Sequence, residues 1–315
     1  MAGLPLVTGA AGFAGSHLLD RLLEREPAVD AWARTGGARP LTRDPRVKWL
    51  DLDVVDRAAV HDAIRLLQPS IVYHCAGAAD VGTSWTDPVT PVKVNAMGTH
   101  HLLDAVRSAT STTKVIIVGS AAVYRPSAAA LDEDAATGPA SPYGFSKLAQ
   151  EMIAAAVRDF PVVIARPFNH AGPRQSAAYV TSSFARQIAE IEAAGKTPTL
   201  RVGNLDARRD VTDVRDVARA YQLLGERGQA ARIYNICSGQ AYRIGDLLEQ
   251  LLSKARKSIA VEHDPARMRP SDQPVILGSA ARAASELGWR PTIPIADTLT
   301  DLLEYWRDRV AAARG

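Results

Sequence analysis

The stretch Val7–Gly15 reads VTGAAGFAG and places Gly9, Gly12 and Gly15 between an apolar, strand-like segment and an amphipathic helix. In such a turn, the first glycine permits a tight bend, the second lets the backbone approach a pyrophosphate, and the third allows close helix packing. The helix N-terminus then offers N–H groups to phosphate oxygens. Although the spacing is G-x-x-G-x-x-G, its position directly after the first strand predicts a dinucleotide site.

Strand-like and helix-like segments alternate from this turn as far as Phe168. Such alternation predicts an α/β fold, a doubly wound parallel (Rossmann) sheet with helices on both faces. After Phe168 the rhythm changes, and Gly, Pro, Arg and Asn cluster between short elements, which indicates a smaller C-terminal substrate-binding lobe. We expect residues 1–168, with 206–239 returning to them, to form the Rossmann domain, and residues 169–205 and 240–315 to form the lobe.

Composition excludes several classes of protein. The 315 residues carry a net charge of only +3, with basic and acidic residues interspersed, which argues against nucleic acid as a partner. Cys75 and Cys237 lie in apolar runs and are expected to be buried free thiols, with no disulfide and no metal site. No apolar run reaches membrane-spanning length and no signal peptide is visible, so we expect no membrane association and a cytoplasmic location.

The second strand bears on the choice of dinucleotide, because its end should lie near the adenosine ribose. An acidic residue there would favour NAD, but this strand ends in Arg34, whose guanidinium can pair with a 2′-phosphate. NADP(H) is therefore favoured, with NAD(H) possible, and a solvated surface arginine is the alternative. Asp53 could accept a hydrogen bond from the adenine amino group, or cap a strand end. Further cofactor contacts are expected at Phe13, Val54, Ala76 and Asn95.

Three polar residues form the predicted catalytic group. Tyr143 and Lys147 are four residues apart in SPYGFSKLAQEM, so they share one face of a helix. An ammonium beside a phenol lowers the pKa of the tyrosine, which lets Tyr143 exchange a proton with a carbonyl or an alcohol. Ser120 ends a buried strand at the same sheet edge, and Lys147 would also hold the nicotinamide ribose. An exposed helix pair that arose by chance is the alternative for Tyr143 and Lys147.

The glycine turn, Ser120 and the Tyr143–Lys147 pair together resemble the extended short-chain dehydrogenase/reductase family over essentially the whole chain. The segments RPFNHAGPRQ, VGNLDARRDVTDVRD, YNICSG and RPSDQP are similar to one branch, that of the GDP-mannose 4,6-dehydratases and GDP-4-keto-6-deoxy-D-mannose reductases. VTDVRD and YVTSSFARQIAEIE are more similar to the reductases. The resemblance implies that the smaller lobe binds a sugar nucleotide.

One position separates the chemistries within this branch. In the dehydratases, the residue two before the tyrosine of the strand-end motif is an acid that removes water across C5 and C6. In GDP-fucose synthases, a cysteine there works with a histidine to epimerise C3 and C5. Here GSAAVY places Ala122 at that position, and a methyl group neither takes nor gives a proton. The resemblance therefore implies simple hydride transfer, unless Ala122 only admits a bulkier substrate and a base comes from elsewhere.

The resemblance also implies contacts with the GDP-sugar. Arg209 and Arg269 match family positions that contact the diphosphate, which suits bidentate guanidinium groups. It further implies that Asp272 reaches the guanosine ribose, that Asn169 contacts the sugar or a phosphate, and that Val180 lines the nucleotide pocket.

We therefore expect an NADP(H)-dependent reductase that acts on the C4 ketone of a GDP-4-keto-6-deoxyhexose, as in the formation of GDP-D-rhamnose. The alternatives are a GDP-mannose 4,6-dehydratase, another GDP-sugar epimerase or reductase, and a non-catalytic nucleotide sensor. Intact Ser120, Tyr143 and Lys147 argue against the sensor. The helices VNAMGTHHLLDAVRS and YGFSKLAQEMIAAAVRD are equivalent to those that form a four-helix bundle in dimeric members of the family, so a homodimer is expected.

Overall fold

The computed structural model describes residues 3–34, 36–37, 44–109, 112–194, 198–267 and 273–314. Its strands are β1 (Leu6–Thr8), β2 (Val29–Ala33), β3 (Val47–Asp51), β4 (Ile71–His74), β5 (Lys114–Val118), β6 (Val162–Pro167), β7 (Asn169–Ala171), β8 (Thr199–Val202), β9 (Arg208–Asp213), β10 (Ile233–Ile236), β11 (Ala241–Arg243), β12 (Ala260–His263) and β13 (Val275–Ile276). Its α-helices are α1 (Phe13–Leu22), α2 (Arg57–Leu67), α3 (Val89–Pro91), α4 (Gly98–Ala109), α5 (Pro142–Ala155), α6 (Val180–Ala194), α7 (Val214–Arg227), α8 (Ile244–Leu252) and α9 (Ile295–Ala312).

Seven strands form one parallel sheet in the order β10-β6-β5-β4-β1-β2-β3. The chain builds outward from β1 to β3 and then crosses to β4 on the other side of β1. This reversal leaves a crevice at the carboxyl ends of β1 and β4, where open α/β sheets bind their ligands. The predicted fold class, a doubly wound parallel Rossmann sheet, is confirmed.

Both faces of the large sheet are buried except at its edge strand β3, most of whose residues are not buried, which explains why the inner strands are apolar almost without alternation. Ile116 of β5 belongs to a core shared with α1 and α7 on one face. Its neighbours Val115 and Ile117 belong to a second core shared with α2, α4 and α5 on the other face. The packed helices therefore hold the carboxyl ends of the inner strands, where the site lies, in fixed positions.

A smaller core lies between α6, α8, α9 and the short strands of the second half. There β9 pairs with β11, β13 and β7, and β8 pairs with β12. The segment between these parts returns to the large sheet, because α7 packs on α1 and β10 pairs with β6. The assignment of the two parts to nucleotide binding and sugar-nucleotide binding stays a prediction. Within the described ranges, every helix is too short or too polar to cross a membrane.

Gly15 and Gly12 offer a matched pair for testing the packing of the glycine turn. A Cβ atom on Gly15 would lie 2.4 Å from the carbonyl oxygen of Gly9, whereas on Gly12 the nearest atom would be that oxygen at 3.1 Å. Gly15→Ala is expected to lower the free energy of unfolding by about 1–3 kcal/mol because the backbone must shift. Gly12→Ala is expected to lower the free energy of unfolding by a smaller amount. Urea unfolding of both variants measures this, and equal losses would contradict the packing argument.

Candidate active site

The glycine turn connects β1 to α1 at the crevice. Gly9 has φ +64°, in the left-handed region, and a Cβ atom there would lie 2.6 Å from the backbone of Ala76. Gly12 is the N-cap residue of α1, and no side chain caps this helix end. A phosphate of a dinucleotide fits at this helix end, because the first N–H groups of α1 have no partner within the helix and Gly12 has no side chain. A Cβ atom at Gly12 would narrow the approach of the phosphate to these N–H groups.

A cavity of about 600 Å³ runs along the carboxyl edge of the sheet. It begins at the glycine turn, passes the ends of β4 and β5, and reaches β7 and the start of the smaller lobe. Its lining includes Ser120, Tyr143 and Lys147, which confirms that the fold brings these three distant residues together. Among the described residues that line it, none is Asp or Glu.

Ser120 and Tyr143 meet because the first turn of α5 packs on the turn after β5. A Cβ atom on Gly144 would lie only 2.4 Å from the carbonyl oxygen of Ala122. The hydroxyl of Ser141 caps α5 by accepting a hydrogen bond from the N–H of Gly144 at 3.1 Å, which fixes where the helix begins. Tyr143 is consequently held beside Ser120 in the cavity lining.

The Tyr143 phenol is buried, and burial raises its pKa to about 12, while the hydrogen bond with Ser120 acts in the opposite direction. The expectation that Lys147 lowers this pKa is therefore wrong for this structure. The reason is that burial dominates the pKa of Tyr143, while the Lys147 ammonium donates to the carbonyl oxygen of Val118 and to Gln150, each at 2.9 Å. Tyr143 thus carries its proton at neutral pH and is suited to donate it.

The Lys147 ammonium is also buried, and burial lowers its pKa to about 8. Cys75 directly follows β4, and burial raises the pKa of its thiol to about 12. Cys75 and Cys237 are both free, as expected, but only Cys237 is fully buried, because Cys75 is partly exposed in the cavity lining.

Ala121 and Ala122 both line the cavity beside Ser120. They form one turn of 3₁₀-helix with Val123, and the hydroxyl oxygen of Ser120 accepts a hydrogen bond from the N–H of Ala122 at 3.1 Å. The position that carries an acid in dehydratases therefore presents only a methyl group at the wall beside the serine and tyrosine.

The residues expected to contact the cofactor lie in two places. Gly9, Gly12, Phe13 and Gly15 line the cavity. Arg34 is exposed after β2, and Asp53 follows β3, where its carboxylate accepts a hydrogen bond from the N–H of Val55 at 3.0 Å. With Val54 and Ala76, these residues lie along the same sheet edge but outside the cavity lining, and their contacts with the cofactor stay predictions.

Asn95 occupies a π-helical turn, Val92–Met97, between α3 and α4. Its side-chain oxygen accepts from the N–H of Ala78 at 2.9 Å, and its amide donates to the carbonyl oxygen of Ala78 at 3.2 Å and to Ser146 at 2.8 Å. It is fully buried, so it ties the loop after β4 to the catalytic helix. The expected contact of Asn95 with the cofactor stays a prediction.

The residues expected to contact the GDP-sugar are spread over the far end of the site. Asn169 and Arg209 line the cavity, and Arg209 donates to the carbonyl oxygen of Gln273 at 2.7 Å. Val180 begins α6 and lies outside the lining. Arg269 and Asp272 lie outside the described residues.

Several residues that line the cavity have no recognisable signal in the sequence. Tyr179 donates a hydrogen bond from its hydroxyl to the carbonyl oxygen of Ala79 at 3.2 Å, and Trp85 stands half-exposed on the same wall. Tyr221 comes from α7 beneath the sheet. No spacing rule connects these residues with the catalytic motif. His170 also lines the cavity and stacks on Phe13 with ring centroids 5.5 Å apart.

Comparison with known proteins agrees with this geometry. The model of the family described as GDP-mannose 4,6 dehydratase matches residues 6–302. The chain is 35% identical to the GDP-6-deoxy-D-mannose reductase of Pseudomonas aeruginosa, over 96% of this chain and 97% of that protein. It is 26% identical to the GDP-mannose 4,6-dehydratase of Vibrio cholerae, over 95% of this chain and 92% of that protein.

Among solved structures, RMD from Pseudomonas aeruginosa complexed with NADPH matches with a TM-score of 0.84 and 32% identity, over 98% of this chain and 100% of that chain. The UDP-glucose 4-epimerase of Thermus thermophilus in complex with NAD matches with a TM-score of 0.85 and 29% identity, over 96% of this chain and 98% of that chain. The family match over nearly the whole length, together with the shared fold, shows that the chain belongs to the GDP-mannose 4,6-dehydratase family.

Proposed function

We propose that the protein reduces the C4 ketone of a GDP-4-keto-6-deoxyhexose with NADPH, as in the conversion of GDP-4-keto-6-deoxy-D-mannose to GDP-D-rhamnose. One observation carries this proposal. Ser120 and Tyr143 are in contact inside a cavity whose described lining contains no carboxylate, and Ala122 stands where a dehydratase has its acid. The reductase of Pseudomonas aeruginosa, 35% identical, supports the same substrate class.

NADP(H) is the proposed cofactor, and when bound it supplies the hydride that reduces the ketone. The uncapped N-terminus of α1 and the open side of Gly12 would hold its diphosphate. Arg34, exposed after β2, would pair with the 2′-phosphate. The solved structure of RMD with NADPH supports this choice, although the related epimerase binds NAD, so NAD(H) is a weaker alternative.

The protein's own part in the reaction is to place the ketone and give it one proton. Tyr143 holds a proton at neutral pH because burial raises its pKa, so its hydroxyl donates to the C4 oxygen as the C–H bond forms. The Ser120 oxygen already accepts from the N–H of Ala122, which leaves its hydroxyl proton for Tyr143 or the ketone. Elimination and epimerisation also require a group that removes a C–H proton, and Ala122 offers none.

The GDP-sugar would lie toward the smaller lobe. Asn169 and Arg209 line that end of the cavity and offer an amide and a guanidinium to the sugar and the diphosphate. We propose Val180 as part of the nucleotide-pocket wall, with Arg269 and Asp272 for the diphosphate and the guanosine ribose. The two free thiols are compatible with the proposed cytoplasmic location.

Incubation of the protein with GDP-4-keto-6-deoxymannose and NADPH tests the proposal. We expect stoichiometric oxidation of NADPH and a GDP-6-deoxyhexose, identified by NMR, because the site can deliver a hydride and a proton to C4. The same assay with NADH should show a higher KM if Arg34 binds the 2′-phosphate. As a counter-assay, GDP-mannose with NADP⁺ should give no 4-keto product, and robust elimination would overturn the assignment.

Tyr143→Phe removes only the proposed proton donor. We expect kcat to fall by about 10²–10⁴-fold, the usual contribution of general acid catalysis, while the Kd for NADPH changes little. Steady-state kinetics and fluorescence titration measure the two quantities. Turnover near that of the wild type would show that Tyr143 is not the proton donor.

We propose that the protein is a homodimer formed through α4 and α5. Phe145 and Met152, seven residues apart on α5, share one face and are 58% and 66% exposed, and Met97 before α4 is 47% exposed beside them. Packing against a second copy would cover this apolar face.

Light scattering at micromolar concentration should therefore give twice the chain mass. Phe145→Lys combined with Met152→Lys should shift the mass toward the monomer, because charges would be buried in the interface. Leu66→Lys on α2, where the side chain is 81% exposed, is the control that should leave the mass unchanged. A strict monomer in the wild type would refute the dimer.

A further inference from the structure

A continuous chain of buried hydrogen bonds links Lys147 to the strand that precedes the glycine turn. The Lys147 ammonium donates to Oε1 of Gln150 at 2.9 Å, and Nε2 of Gln150 donates to Oγ1 of Thr99 at 2.8 Å. Oγ1 of Thr99 lies 2.9 Å from Nε2 of His74, and Nδ1 of His74 lies 2.8 Å from Oγ1 of Thr8. The chain thus crosses from α5 through α4 and β4 to β1.

The first two bonds of this chain have a defined direction. An ammonium only donates, so Gln150 must turn its oxygen toward Lys147 and its NH₂ toward Thr99. Thr99 then accepts from Gln150 and has its own proton for Nε2 of His74. In the tautomer that continues this alignment, Nε2 of His74 accepts from Thr99 and Nδ1–H donates to Thr8, which requires a neutral imidazole. Burial lowers the pKa of His74 to about 3, in agreement with that requirement.

The aligned chain turns an acceptor end toward the buried ammonium. Thr8, His74, Thr99 and Gln150 have no exposed surface. The titratable groups around Lys147 are Cys75 and His74 on the β4 side and Tyr143 on its own helix. Within the described part of the chain no carboxylate contributes to the pKa of Lys147. Oriented dipoles, rather than a counter-ion, therefore offset the cost of burying this charge.

Both ends of the chain lie at groups proposed to hold ligands. Oγ1 of Thr8 also accepts the N–H of Ala76 at 3.2 Å, and Thr8 directly precedes Gly9 of the turn. At the other end, the carbonyl oxygen of Val118 and Gln150 take two of the three N–H bonds of Lys147. Because Lys147 also lines the cavity, we expect its third N–H bond to be offered to a ligand there.

We propose that Gln150, Thr99, His74 and Thr8 form a positioning chain that keeps the Lys147 ammonium charged and aimed into the cavity. Gln150 is the critical member because it alone contacts Lys147. A carboxamide does not pass protons at neutral pH, so the chain orients Lys147 and does not conduct the proton that Tyr143 donates. This inference rests on the proposed function and on the expected role of Lys147, whose ammonium would hold the nicotinamide ribose of the cofactor.

Two substitutions at Gln150 should move Lys147 in opposite directions. Gln150→Met has a similar shape but no acceptor, so the ammonium is disfavoured and its pKa falls. Gln150→Glu places a charged acceptor there and raises that pKa. Since the ammonium would hold the ribose of the cofactor, activity should be lost as the pH rises through this pKa. We expect the alkaline limb of kcat to move down by about one pH unit in Gln150→Met and upward in Gln150→Glu.

The affinity for NADPH provides a readout that does not depend on turnover. If Lys147 holds the cofactor as an ammonium, the Kd measured by fluorescence titration should rise through the same pH range and shift in the same directions. Gln222→Met is the matched control, because Gln222 is a buried glutamine on α7 that accepts from Arg21 at 2.8 Å, away from the cavity. It should leave both pH profiles unchanged, and thermal unfolding should show all three variants folded.

The outcomes separate this inference from the proposed function. Wild-type protein that binds NADPH but does not reduce the ketone would contradict the function, while the pH dependence of the Kd would still test the chain. The other case is an active wild type with folded Gln150 variants. If the two pH profiles of these variants match those of the wild type, or shift in the same direction in both variants, the positioning role would be overturned.

Discussion

The close contact between α5 and the turn after β5 is the constraint on which the site depends. Gly144 approaches the carbonyl oxygen of Ala122 so closely that a Cβ atom would lie 2.4 Å from it. Any side chain at this position would separate the helix from the strand end. Because the contact is kept, Tyr143 meets Ser120, and Lys147 lies one turn deeper between Val118 and Gln150. Two segments that are distant in sequence thereby form one reactive group.

Burial shifts the pKa values of both ionisable members of this group, Tyr143 and Lys147. It favours the neutral form of each, so it raises the pKa of Tyr143 to about 12 and lowers that of Lys147 to about 8. For Tyr143 the neutral form is the proton donor that a ketone reduction needs. For Lys147 the charge must be supported by dipoles, since the described cavity lining carries no carboxylate.

Features that depend on local spacing could be predicted from the sequence. The alternation of elements, the glycine turn and the pair Tyr143–Lys147 follow from the geometry of strands and helices. The direction of the Tyr143 pKa could not be predicted, because it depends on how deeply the phenol is buried and on where Lys147 points. Tyr179 and Tyr221 were missed since they reach the cavity from distant elements, and Arg269 and Asp272 lie outside the described residues.

The central claim is that the site adds one hydride and one proton at C4 and activates no neighbouring carbon. The most direct measurement is reduction of GDP-4-keto-6-deoxymannose in D₂O with NADPH deuterated at the transferred position, followed by NMR of the sugar. Carbon-bound deuterium is expected at C4 alone, with none at C3 or C5 beyond a control without protein. Protein-dependent deuterium at C3 or C5 would reveal a group that removes protons from these carbons, and would contradict simple hydride transfer.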